Sequence, residues 1–121
     1  MLAQYLDLTD EFQVNGDAFF EVSNYDYAVV QIINNTEGDA IGFFSTLDSG
    51  AIQGVTDGNI ADSINYISIV AEDLANNNFV STDGGVGGLF KFGVVGRYIR
   101  LYTGGDPSSV SKLLIMLTKI S

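Results

Sequence analysis

The 121-residue sequence contains no cysteine, no histidine, no tryptophan and a single proline. Without cysteine there is no disulfide framework and no thiolate chemistry. Without histidine the commonest general base and transition-metal ligand is missing, and with it every Ser-His and Cys-His catalytic arrangement. Carboxylate, lysine or tyrosine chemistry is all that remains, so the expectation is a protein that is not an enzyme. No apolar run reaches the length of about 18 residues that a membrane span needs. The segment Met1-Leu2-Ala3-Gln4-Tyr5 has neither a basic region nor an apolar stretch, so no signal peptide is expected.

Positive charge is the scarcest commodity. Five basic residues face fifteen acidic ones, for a net charge of −10. All five (Lys91, Arg97, Arg100, Lys112, Lys119) lie after position 90, and fourteen of the carboxylates precede it. Such a chain repels phosphate backbones, which argues against nucleic acid as a partner and suits a basic protein surface.

What is present is a core. Apolar residues make up 46% of the chain, and the length is that of one domain. The apolar segments are short and are broken every 8 to 12 residues by Gly, Asn and Asp, the spacing of an antiparallel β-sandwich. We read residues 1–121 as a single all-β domain, with residues 1–11 an N-terminal arm or first strand. Asn15-Gly16 predicts a two-residue hairpin between Phe12–Val14 and Ala18–Val22. Tyr27–Ile33 is apolar on both faces and predicts a central buried strand. Ala40–Thr46, Ala51–Val55, Ile64–Ala71 and Phe79–Ser81 follow as strands. Leu89–Val95 alternates, with Phe90, Phe92 and Val94 on one face and Lys91 on the other. Arg97–Tyr102 places Ile99 and Leu101 inward and Tyr98, Arg100 and Tyr102 outward. Val110–Ile120 fits a strand with Leu113, Ile115 and Leu117 on one face, returning antiparallel to Arg97–Tyr102. A helical stripe through Val110, Leu113, Leu114 and Leu117, started by Asp106-Pro107, also fits.

Few groupings carry chemistry. Gly84-Gly85-Val86-Gly87-Gly88 lacks the following helix, lysine and hydroxyl of a phosphate loop and reads as a connection. Asp57-Gly58-Asn59 with Asp62 could offer oxygens to calcium, but the same residues are ordinary turn chemistry and no metal or cofactor is assigned. Glu72-Asp73, adjacent on a strand, would point to opposite faces and cannot work as a hydrolytic pair. The one surface feature singled out is the row Arg97, Tyr98, Arg100 and Tyr102. It reads either as an exposed, electropositive partner-contact stripe or as an ordinary strand face whose Arg pairs with a nearby carboxylate.

Two segments carry a resemblance. Phe43-Phe44-Ser45-Thr46-Leu47-Asp48-Ser49-Gly50 resembles the strand and Asp-Gly turn of discoidin-like β-sandwich modules. Gly88-Leu89-Phe90-Lys91-Phe92, followed by Gly96-Arg97-Tyr98-Ile99-Arg100-Leu101, is similar to their later aromatic-Arg-Tyr strand. The likeness spans roughly residues 40–120. The Trp that usually follows the turn in sugar-binding members is absent. Related modules recur among small structural proteins of tailed-phage virions. The resemblance implies a jelly-roll-like sandwich. It further implies a virion structural protein, foremost a capsid decoration protein on the particle exterior, assembled in the host cytoplasm. Its partners would be the major capsid protein or neck and tail proteins, and it would act as a homo-oligomer or in many copies. The alternative reading is a carbohydrate-binding or adhesion module.

Overall fold

A computed structural model of the chain describes residues 2–34, 40–47, 66–83, 87–93 and 96–120. The predicted strand Ala51–Val55, the turns at Asp48-Ser49-Gly50 and Asp57-Gly58-Asn59, Asp62, Gly84-Gly85-Val86 and Val94 lie outside these residues.

The described chain folds into two antiparallel sheets. The larger contains six strands in the order β1 (Leu2–Asp7), β11 (Lys112–Lys119), β3 (Tyr27–Ile33), β9 (Gly88–Gly93), β6 (Ala71–Asp73) and β7 (Asn78–Val80). The second runs β2 (Asp17–Glu21), β10 (Tyr98–Tyr102), β4 (Ile41–Thr46) and β5 (Ile67–Ser68), with β8 (Thr82–Asp83) also on β4. β1 to β4 alternate between the sheets, as do β9 to β11, so hydrogen-bonded neighbours are far apart in sequence. This is the expected antiparallel β-sandwich with a jelly-roll-like strand order.

The core lies between the sheets. Phe20, Ile41, Phe43, Ile99 and Leu101 come from the smaller sheet, and Val30, Ile32, Phe90, Phe92, Leu113, Ile115 and Leu117 from the larger. Phe43 joins the layers: its ring meets Phe90 and Phe92 edge-on, at centroid distances of 5.2 and 5.0 Å. The inward alternation read for Phe90 and Phe92, Ile99 and Leu101, and Leu113, Ile115 and Leu117 is the alternation of the fold.

Three expectations require correction. Phe12–Val14 is not a strand, and Asn15-Gly16 is not a hairpin turn. Thr9–Asn15 is a helix, α1, with Asp10 and Glu11 in its first turn, where the helix dipole favours carboxylates. Gly16 ends it in the left-handed region at φ 65°, donating its N–H to the Phe12 carbonyl at 2.8 Å. Asn-Gly supplies the positive φ that both a hairpin and a helix terminus need, so the dipeptide alone does not separate them.

Second, β11 does not return along β10. The two lie in different sheets, linked by a connection in which Asp106 caps a short 3₁₀ turn, Pro107–Ser109. The Asp106-Pro107 helix signal is therefore genuine but lasts one turn, and the strand reading holds from Lys112 onward. Third, β3 is central but fully buried on one face only. Ala28, Val30 and Ile32 are buried, Tyr27, Val29 and Ile33 are half-buried, and Gln31 is exposed.

Candidate partner-contact surface

The row read from the sequence comes apart in space. Tyr98, Arg100 and Tyr102 do share the face of β10 turned away from the core, but that face is covered at its centre. Arg100 is 2% exposed. Across the ladder it lies directly between Phe19 and Phe44, which pack with Tyr66 and Tyr98 in a second aromatic cluster. Its guanidinium sits 4.6 Å from the centre of the Tyr66 ring and 4.8 Å from that of Tyr102.

The charge is met by Asp17 at the start of β2. Arg100 donates from Nε to both carboxylate oxygens at 2.9 and 3.0 Å and from Nη2 to one of them at 2.7 Å. Burial pushes the Asp17 carboxyl above its ordinary value, and the Arg100 guanidinium pulls against that rise. The expectation of Arg100 as an exposed, electropositive contact is thus corrected. Aromatic rings and one carboxylate enclose it, and it fixes how β2, β10 and β4 pack. Arg97 and Tyr98 stay accessible at the end of the row. Arg97 pairs loosely with Glu21 at 3.7 Å and lies 5.2 Å from the Tyr98 ring centre.

The other cations are dispersed too. Lys112 is 3.9 Å from Asp7, and Lys91 stands directly opposite Glu72 and 4.6 Å from the Tyr27 ring centre. The concentration of basic residues after position 90 therefore yields no positive stripe among the described residues. Among the described residues, Glu72 and Asp73 do not form a carboxylate pair. Glu72 faces Lys91 and Asp73 faces Phe90 across the β6–β9 pair, on opposite sides of the strand. Asp73 instead closes the turn to β7, accepting from the Ala75 and Asn76 amides and the Asn76 side chain, which together hold its carboxyl below the usual range. Among the described residues, no three metal-ligating side chains cluster.

A different surface stands out. An exposed antiparallel sheet face ordinarily carries polar residues. The outer face of the larger sheet mixes them with apolar residues. One register row crosses all six strands as Tyr5, Met116, Val29, Lys91, Glu72 and Phe79. The next carries Asp7, Leu114, Gln31 and Leu89. Tyr5, Val29, Leu89, Leu114 and Met116 line an open trough of about 560 Å³, edged by Asp7 and Gln31. Tyr5 is 74% exposed and Phe79 72%. The lining of the trough is predominantly apolar.

The sequence reading singles out no residue of this trough, yet the signal is present. Tyr27–Ile33 is apolar on both faces, and Leu113-Leu114-Ile115-Met116-Leu117 is an unbroken apolar run. The two strands are neighbours, so their surplus outward apolar residues form one patch.

The fold defines a class, the two-sheet antiparallel β-sandwich. No protein-family model matches the chain, and no curated protein matches its sequence. Among solved structures, it is similar to the crystal structure of SPBc2 prophage-derived protein YomS. The TM-score is 0.65 at 9% sequence identity, over 97% of this chain and 95% of that one. Agreement over nearly the whole of both chains at such low identity is agreement of fold.

Proposed function

We propose that the chain is a non-enzymatic structural protein of a phage particle, foremost a capsid decoration protein. It would hold its place through the apolar outer face of its larger sheet. The observation that carries this reading is the trough of Tyr5, Val29, Leu89, Leu114 and Met116, an apolar surface on the outer face of an otherwise acidic β-sandwich. The whole-length fold likeness to a prophage-derived protein supports a phage setting. The acidic charge suits the particle exterior better than a DNA-facing surface. Modest contacts repeated over many symmetric copies would supply the affinity.

The test is to mix the purified protein with undecorated capsids and to search purified particles by mass spectrometry. Leu89→Glu, placed where the side chain is 38% exposed, should leave the fold intact and lower capsid occupancy. Absence of the wild-type protein from particles would remove the reading.

A further inference from the structure

Asn15-Gly16 is the only Asn-Gly pair in the sequence. In an open chain such a pair is chemically labile. The glycine amide nitrogen loses its proton to solvent base and attacks the carbonyl carbon of the asparagine side chain. Glycine, having no Cβ, leaves that approach unhindered. The bond from the same carbon to the side-chain nitrogen breaks, and ammonia leaves a closed succinimide ring. Water then opens the ring at either carbonyl, giving aspartate or isoaspartate. One water is consumed for each ammonia released, and nothing is oxidised or reduced.

The fold clasps this pair on both sides. Asn15 is exposed, but Gly16 is buried. The amide that must lose its proton donates to the Phe12 carbonyl at 2.8 Å, and the Gly16 carbonyl accepts from the Thr103 amide at 2.9 Å. The first clasp is local to α1. The second closes only when the far end of β10 arrives, and it is continued by Asp17, the next residue, on Arg100.

We propose that Asn15 is a deamidation site, open in the unfolded chain and shut by the fold, whose isoaspartate form no longer folds normally. Isoaspartate routes the main chain through the side-chain carbon and so inserts one methylene ahead of Gly16. Gly16 then cannot meet Phe12 and Thr103 together while Asp17 keeps its place opposite Tyr102. The new carboxylate also stands at the negative end of α1, where the helix dipole opposes it. The reaction therefore selects chains that have not folded and keeps them from folding. None of this depends on the virion reading.

The test holds the purified full chain at mildly alkaline pH, in buffer and in guanidinium chloride, and follows residue 15 by isoaspartate-resolving peptide mapping. The denatured chain should convert at least about tenfold faster, because reaction in the native chain must wait for local opening. After the denaturant is removed, isoaspartate should be enriched in the fraction that fails to regain the native fold. Asn15→Gln, which would close a larger ring and does so slowly, should survive the same treatment and refold. A native chain that converts as fast as the denatured one overturns the proposal. So do isoaspartate chains that refold to the wild-type denaturation midpoint. Unmodified wild-type chains from the same incubation serve as the control should Asn15→Gln fold poorly.

Discussion

At the scale of single residues, the Arg100–Asp17 pair shows where sequence reading succeeds and where it stops. Period-two alternation places Arg100 on the face turned from the core, and that is correct. Alternation cannot say whether that face meets water, because Tyr66, which covers it, lies 34 positions away in sequence. A buried pair costs most when half of it is removed. Asp17→Ala should lower unfolding free energy by about 3–5 kcal/mol in denaturant titrations, by stranding the guanidinium. The joint replacement Asp17→Leu with Arg100→Met should recover most of the loss, and a double-mutant cycle would show the coupling. The exposed carboxylates give a pH signature. Hydrogen bonds hold Asp7, Asp73 and Asp106 below the ordinary range: to Thr9 for Asp7, to Asn76 foremost for Asp73, and to Ser108 for Asp106. A lowered native value adds stability that is complete above the unfolded value, near 4, and is lost as pH falls through the native one. The wild type should therefore be more stable than an Asp7→Asn, Asp73→Asn, Asp106→Asn variant at pH 6. That advantage should fade by about pH 2. Asp17, raised by burial, has the opposite sign in both proteins and cancels from the comparison.

At the scale of elements, strands with a regular apolar alternation were legible, and connections were not. β4, β9, β10 and β11 follow the pattern of their residues. α1 does not, because seven residues are too few for a helical period to outweigh an Asn-Gly signal. The evidence for it lies in Asp7, whose carboxylate accepts from the Thr9 amide at 3.0 Å, in the acidic first turn, and in the terminal glycine. The glycine makes the point testable. A Cβ at residue 16 would combine a left-handed backbone with a 3.0 Å approach to the Thr103 carbonyl. Gly16→Ala should cost about 1–2 kcal/mol in thermal or chemical unfolding. Gly96→Ala should cost more, since its φ is also positive, at 75°, and its Cβ would collide with the Ser45 hydroxyl oxygen and stand 3.1 Å from the Thr46 carbonyl oxygen. The trough belongs to this scale too. It arises from two ordinary-looking strands, and only the sheet order that makes β3 and β11 neighbours turns their outward residues into a surface.

At the scale of the whole molecule, composition pointed to the class of fold but not to the distribution of charge. A sequence acidic for 90 residues and basic thereafter suggests two electrical halves. The sandwich interleaves them instead, setting Lys112 beside Asp7, Arg97 beside Glu21 and Arg100 against Asp17. Edge-on aromatic contacts join the layers at Phe43, and Phe43→Ala should cost about 3–5 kcal/mol by opening a cavity against Phe90 and Phe92. The alternation of strands between sheets has a consequence in time. The outermost pairings nest: β1 joins β11, β2 joins β10, and β3 joins both β9 and β11. Each closes a loop spanning much of the chain before any contact rewards it, so refolding should take milliseconds to seconds rather than microseconds. Emerging from a ribosome, the first strands must wait for residues 112–119. The trough that would meet a capsid does not exist until that strand slides between β1 and β3. In the proposed role, competence to bind a capsid would thereby be a late event, reserved for chains translated through residue 119.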